Sequence, residues 1–502
     1  MNKLFFFFLV LLCIASLLLS ILLRSTEVLN GNYLFGFDQG RDYLAVKNIV
    51  VSLKPTLIGS EWGAGSAGFQ GLFHGPFHYY FLSIPFFIFS GNPYGGIVYM
   101  FVLGIIAIVL GFYLGYKMFG VKGGLVLATL ISVCPPIITQ SRFVWNSHPA
   151  TPFIILMFIS VYLYIISSKN KFLFLSSLIS AFIYNFQTGI SIPLSVSLFI
   201  FLVYLAKGYN FKKYLYLILG SILGYLPFLL FEVRHGFVGI KSLFIYVIRG
   251  GGNGIISAKF LTNGYDHFNT FIYNFYDSFP FQQDIPHLFF PLFIVLFMYL
   301  LWNEKNKEIK KFMVFLVIIP ITSFVIFLFL RNSVYIYYLI SLNLIYTTIF
   351  AYMFFSSKKH NLIHFFLFVF LCTMLFVSVP KNLKTFSYDY YDHGGTAKIK
   401  GKLEAIDYIY RDARGEKFAL LAFTPPVYTY DIDYLLWWYG ERKYSFVPKN
   451  EKKGKFYLLI EPDPSKPWSY QGWLDTVIID GEIISTVNLP NGYIIQKRVK
   501  NI

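Results

Sequence analysis

LFFFFLVLLCIASLLLSILLRSTEVLNGNYLFGFDQGRD, residues 4–42, sets a long run of apolar and small residues against a polar segment that ends in Asp38, Arg41 and Asp42. About 20 such residues in a helix span the roughly 30 Å hydrocarbon core of a bilayer. The run is too long and uniform for a cleavable signal peptide and no A-x-A site follows it, so it reads as a retained signal anchor. Two carboxylates and a guanidinium so soon after a membrane span call for an explanation.

The rest of the chain repeats the apolar theme. Hydrophobic residues make up 56%, aromatics 21% and charged residues only 13%, far from the composition of soluble domains. IVYMFVLGIIAIVLGFYLG (97–115) and FMVFLVIIPITSFVIFLFL (312–330) are again of membrane length. The net charge of +17 does not point to nucleic acid, because the cations cluster in short loops: Lys117 and Lys122, Lys169 and Lys171, Lys207 with Lys212 and Lys213, Lys305 to Lys311, and Lys358 with Lys359. These alternate with loops poor in cations, the positive-inside pattern of a multi-pass protein of the plasma membrane.

Threading the chain on that rule predicts about eleven spans: 4–23, 97–115, 123–140, 151–167, 172–186, 189–206, 214–231, 285–302, 312–330, 334–355 and 361–379. The N-terminus is then cytoplasmic. FHYYFLSIPFFIF (77–89) is too short to cross and is expected at the interface or as a re-entrant segment. The outer face receives the 24–96 loop, the segments around 141–150 and 232–284, the turn at Arg331, and everything after residue 380. In the 381–502 tail, TAKIKGKLEAIDYIYRDARG has helical periodicity, while FALLAF, KFYLLIEP, DTVIIDGEIIST and LPNGYIIQKRV read as strands. The expectation is a transmembrane domain, 1–380, followed by a small extracytoplasmic α/β domain, 381–502. Cys13, Cys134 and Cys372 fall inside spans and read as small hydrophobes.

The polar motifs gather on the outer face. GAGSAG (63–68) follows no strand and has no acidic partner, so it reads as a flexible loop and not as a dinucleotide fingerprint. GLFHGPFHYY (71–80) puts His74 before a rigid Gly-Pro turn. A belt of interfacial aromatics explains its tyrosines, and a site wall explains the imidazole. RFVWNSHP, FEVRHGF and FLRNSVYIYYLI place Arg142, Arg234 and Arg331 just beyond span ends, the last followed by Tyr335, Tyr337 and Tyr338. Each arginine alone is explained as a snorkelling anchor, but together on the face that disfavours cations they suit phosphate recognition. In FDQGRD, Asp38 has two readings. It caps a helix running from about Gln39 to Val51, or it faces a substrate together with Asp42, one turn later on the same helix face. Proximity to the membrane raises a carboxylate's pKa and makes it a better base, an effect that Arg41 would oppose.

The order of these motifs resembles the polytopic GT-C glycosyltransferases, the group of the protein O-mannosyltransferases and the lipid A aminoarabinose transferases. FDQGRD in the first external loop, then HGPFHYY, RFVWN, RHGF, RNSVYIYYL and an external tail carry the resemblance. It implies an inverting transfer of sugar from a polyprenyl-phosphate donor to a hydroxyl of a lipid, glycan or protein acceptor, with Asp38 as base and Asp42 as its support. It also implies Arg331, Arg234 and Arg142 as phosphate contacts, with His74, Arg41 and Tyr337 on the substrate. Relatives carry an adjacent acidic pair where this chain has Asp38-Gln39. No metal ligands are assigned, and a divalent cation is the one cofactor the resemblance allows. The competing classes are a flippase for polyprenyl-linked glycans, which should carry charges at mid-membrane and repeat symmetry, and a silent glycan-binding subunit whose Trp437, Trp438, Trp468 and Trp473 stack on sugars.

Overall fold

In lipid, backbone N–H and C=O groups have no water to bond, so apolar runs of membrane length must satisfy them internally as helices. The computed structural model describes residues 3–62, 71–205, 211–249, 258–281, 288–330, 334–425 and 428–500, and GAGSAG lies outside them. Helix α1 (Lys3–Arg24) is followed by the short α2 (Thr26–Asn30), by α3 (Phe37–Val50) and by α4 (Phe77–Ile88). With 12 residues, α4 is about 18 Å long, shorter than the hydrocarbon core of a bilayer. It lies against α3 with Ile84, Phe87 and Ile88 exposed on its other side.

Helix α5 (Tyr94–Val133) is two spans in one, because Gly120 at φ +73° reverses the chain. The two arms then touch: Gly111 meets Ile131, Gly115 meets the Gly123 carbonyl and Gly124 meets Phe112, at contacts too close for a Cβ. Pro135 and Pro136 break the second arm before α6 (Pro135–Gln140), so the span expected over 123–140 is kinked, since proline cannot donate to the helical ladder. Arg24 closes this break. Its buried guanidinium donates to the Ser132 carbonyl at 2.8 Å and to that of Ile131 at 3.4 Å, where the helix dipole is negative.

Next come α7 (Ala150–Ser167), α8 (Asn170–Phe182), α9 (Thr188–Leu205), α10 (Phe211–Gly224) and α11 (Leu226–Arg234), the last two bent by 67°. They are followed by α12 (Val238–Arg249), α13 (Ala258–Asp277), α14 (Phe289–Trp302), α15 (Lys307–Phe327), α16 (Ile340–Ser356) and α17 (Asn361–Tyr391). Among the described residues, 7 helices are long and apolar enough to cross a membrane, or 8 if the bent pair is one span. The reversal in α5 gives one of these helices two arms, and α8 and α14, of 13 and 14 residues, are shorter helices of the same bundle.

The tail contains α18 (Ile399–Ala413), α19 (Tyr430–Leu435), α20 (Glu441–Tyr444) and α21 (Ser469–Trp473). Its sheet orders β1 (Ala419–Phe423), β2 (Gly454–Ile460), β3 (Glu482–Asn488) and β4 (Ile494–Lys500) as β1-β2-β4-β3, with only the β1-β2 pair parallel. The first half of DTVIIDGEIIST is not a strand. Leu474–Ile478 is helical, because Leu474 and Ile478 turn into the core under β1 and β2, and positive φ at Ile479 and Gly481 ends the turn before β3.

The tail does not stand apart from the bundle. Tyr33, Phe35, Tyr43 and Val46 around α3 and Leu82 and Phe86 of α4 form one buried core with Ile406, Ile409, Tyr434 and Leu435 of the tail. The Phe35 N–H donates to the Ala397 carbonyl at 3.2 Å and the Ile399 N–H to that of Tyr33 at 2.9 Å, so a short bridge stitches the first loop to the tail. Full burial of each aliphatic side chain in that core contributes roughly 1.5–3 kcal/mol.

Candidate active site

Helix α3 begins with Gly36 as its N-cap, and the Gln39 side chain accepts from the Gly36 N–H at 2.9 Å while donating to the Val144 carbonyl at 2.7 Å. Asp38 is therefore not the cap, and the capping explanation for its presence fails. Its carboxylate, 38% exposed, instead pairs with Arg41 Nη1 at 2.8 Å. The same guanidinium donates through Nε and Nη2 to one oxygen of Asp42, at 2.9 and 2.8 Å. The other Asp42 oxygen lies 3.0 Å from Nε2 of His78, in the first turn of α4. Asp38, Arg41, Asp42 and His78 thus form a row that runs from the accessible surface to side chains only 1% and 2% exposed.

The two carboxylates sit in opposite electrostatic situations. Partial burial raises the Asp38 carboxyl above its ordinary pKa and the neighbouring Asp42 charge adds to this, against the opposing pull of Arg41 and the Trp145 indole. At Asp42 burial also pushes upward, but Arg41 and His78 more than reverse it and hold the group below the usual carboxylate range. A pair of acids driven apart in this way divides the labour: Asp38 can take up a proton, and Asp42 stays ionised as the anchor.

Around Asp38, aromatic side chains from distant segments form a wall. Trp145 meets Tyr337 edge-on at 4.6 Å between ring centroids, and Tyr335 stacks on Tyr337 at 5.3 Å. His74 completes the rear. Its Nδ1 accepts from the Thr188 N–H at 3.2 Å at the start of α9, and burial aided by Arg41 lowers its pKa to about 3, so it is neutral. Gly75 is required beside it, because a Cβ there would enter the Asn185 side chain.

The structure thus brings Asp38, Arg41, Asp42 and Tyr337 together, with His74 close enough for its pKa to respond to Arg41 and Asp42. Two of the three arginines read from the sequence lie within the described residues. Arg142 is engaged by Glu27, at 3.0 and 2.5 Å, and by Asp389 at 2.7 Å, and so ties α2 and the end of α17 to the loop before α7. Arg234 is exposed at the end of α11, and Arg331 lies outside the described residues. His78 and Trp145 had no role read from the sequence, although both sit in motifs that stood out. Among the described residues no three acidic, histidine or cysteine side chains converge as a ligand set for a metal, and Arg41 occupies the space between the two carboxylates.

No protein-family model and no curated protein sequence matches the chain. Solved structures do. The crystal structure of ArnT from Cupriavidus metallidurans bound to undecaprenyl phosphate aligns with a TM-score of 0.56 over 98% of both chains, at 12% identity. The fold is that of ArnT. The apo form of the same protein aligns with a TM-score of 0.55 over 97% of each chain at 11% identity. The many-helix architecture with an appended tail expected from the sequence is therefore present, since the ArnT likeness runs over nearly the whole length.

Proposed function

We propose that this chain is an inverting membrane glycosyltransferase that takes a sugar from a polyprenyl-phosphate carrier at the outer face of the plasma membrane. One observation carries the reading: an accessible carboxylate with a raised pKa, Asp38, held by Arg41 beside an aromatic wall in a fold shared with ArnT. The carrier is too apolar to leave the bilayer, so its sugar must be met at the membrane edge, and α3 and α4 lie beside the spans. That ArnT was captured with undecaprenyl phosphate supports a polyprenyl-linked donor here.

In the reaction, Asp38 accepts the proton of an acceptor hydroxyl as that oxygen attacks the anomeric carbon. The bond from that carbon to the phosphate oxygen breaks with its electrons, and the carrier leaves as the polyprenyl phosphate. Displacement from the opposite face inverts the anomeric configuration. Arg331 and Arg234 are the cations we assign to the departing phosphate, whose growing charge they would stabilise. Arg142 acts at one remove by fixing the loop that carries Trp145. The distribution of lysines among the short loops supports a cytoplasmic N-terminus and an external tail.

The test is transfer by the purified protein in nanodiscs, with a panel of labelled polyprenyl-phosphate monosaccharides and a lipid, glycan and peptide acceptor. Wild type should transfer one of them and Asp38→Asn should be inert while eluting as a folded protein. Full activity in Asp38→Asn would remove the base assignment.

A further inference from the structure

The tail packs against the active-site helix, most tightly at one glycine. Gly40 of α3 lies against the backbone of Tyr430 and Asp431 at the start of α19, so close that a Cβ could not be placed there. The Asp431 carboxylate is buried and bonded to Lys402 Nζ at 2.6 Å, and Lys402 also contacts Tyr493 at 3.0 Å and Glu461 at 3.4 Å. That buried ion pair fixes where residues 428–430 sit relative to Asp38. The carbonyl of Tyr428 is held from the other side by the Thr424 hydroxyl at 2.9 Å.

What these anchors present is an aromatic surface. The rings of Tyr428 and Tyr430 stack at 5.4 Å with 14° between their planes, and Phe37 of α3 packs against both at 5.8 and 5.2 Å. Phe37 immediately precedes Asp38, and the Arg41 guanidinium lies 5.8 Å from the centre of its ring. Tyr428 is 58% exposed. Phe37, Asp38, Arg41 and Tyr430 are each only partly covered, so the surface is open alongside the carboxylate. Two of the four tryptophans that the sequence offers for stacking are otherwise engaged: Trp437 lies parallel to Phe86 and under Lys47, and Trp473 packs on Phe423.

We propose that Phe37, Tyr428 and Tyr430 form a subsite that stacks on the ring of a pyranose, placing a substrate sugar beside Asp38. The proposal rests on the transferase reading above. A pyranose has an apolar face of C–H groups that suits the electron-rich face of an aromatic ring, and an equatorial rim of hydroxyls that needs polar partners. This surface supplies both. Asp38 and Arg41 border it on one side, and the Thr429 hydroxyl bonded to Asp433 at 2.9 Å borders it on the other. A lipid tail would leave those polar groups facing hydrocarbon, which disfavours it as the occupant. The sugar is that of the donor or of the acceptor, and the two differ in which KM responds.

The test compares Tyr428→Ala, Tyr428→Phe and Tyr430→Ala in the full chain in nanodiscs. With the polyprenyl-phosphate sugar that wild type uses, Tyr428→Ala and Tyr430→Ala should raise the KM of one sugar substrate about tenfold with kcat within about twofold, and Tyr428→Phe should behave as wild type. A change in donor KM assigns the subsite to the donor and a change in acceptor KM to the acceptor. Saturation-transfer NMR with a panel of methyl pyranosides is the second readout, independent of turnover: ring protons of one of them should receive signal in wild type and Tyr428→Phe but not in Tyr428→Ala. Unchanged KM values, or pyranoside signals equal in wild type and Tyr428→Ala, would overturn the subsite. If Asp38→Asn retains full activity, the transferase mechanism fails instead, and the NMR comparison still decides the subsite.

Discussion

Two charge clusters of the same charge pattern lie on either side of the contact between α3 and α19. In one, Arg41 bridges Asp38 and Asp42; in the other, Lys402 bridges Asp431 and Glu461. Each has one cation between two carboxylates. They differ in access. Lys402 and Asp431 are 2% and 4% exposed, whereas Asp38 is 38% exposed. At Lys402 burial would lower the pKa, but Asp431, Tyr493 and Glu461 drive it well above its ordinary value, so the ammonium stays charged. At Asp38 the balance leaves a carboxyl raised and open to solvent. The comparison shows that an ion pair holds structure when it is closed on all sides and can do chemistry when one member is left at the surface.

The largest effects separate the two clusters cleanly. Asp38→Asn should lower kcat by about 10²- to 10⁴-fold, the range of a lost general base, and leave the melting temperature in nanodiscs almost unchanged, since exposed pairs contribute little. Lys402→Met should do the reverse in kind. It strands two carboxylates in the tail core and should cost about 3–5 kcal/mol of stability, read as a large drop in melting temperature. Similar responses of both variants in both assays would erase the distinction. A smaller effect is expected at His78→Ala, which takes one partner from the buried Asp42 oxygen. Loss of about 1–3 kcal/mol is expected there, with a modest fall in kcat because Arg41 is less well held. A His78→Ala protein as stable as wild type would show that Asp42 needs Arg41 alone.

How much of this could be read from the chain follows the range of each contact. The long apolar helices were legible because bilayer thickness imposes a length on apolar runs. Asp38 and Arg41 are three residues apart on one helix, so their pairing follows from helical geometry. The bond between Asp42 and His78 joins α3 to α4, and that of Arg142 to Asp389 joins segments 247 residues apart. No periodicity encodes such pairs. The docking of Gly40 on Asp431 is equally silent, since a glycine within a helix gives no sign of what will approach it. Within the tail, DTVII has a strand-forming composition, but packing of Leu474 and Ile478 under the sheet overrode it.

The finest test of the comparison is the pH dependence of transfer. A base must be ionised to accept a proton, so kcat/KM should rise with pH through the Asp38 pKa. That acid limb should lie above the ordinary Asp value of about 3.9, because burial and the Asp42 charge outweigh Arg41. His74 and His148 are held down to about 3 and about 4, chiefly by burial. Arg41→Gln removes the main influence that lowers the Asp38 pKa, so the limb should move to higher pH still. The same substitution relieves the depression at Asp42. A carboxyl with a lowered folded-state pKa stabilises the fold above its unfolded pKa and loses that contribution as pH falls through the folded value. Arg41→Gln should therefore also flatten the loss of stability on acidification below about pH 4. A limb that moves to lower pH in this variant would mean that the titrating base is not Asp38, and the accessible end of the α3 row would then be as structural as its buried counterpart in the tail.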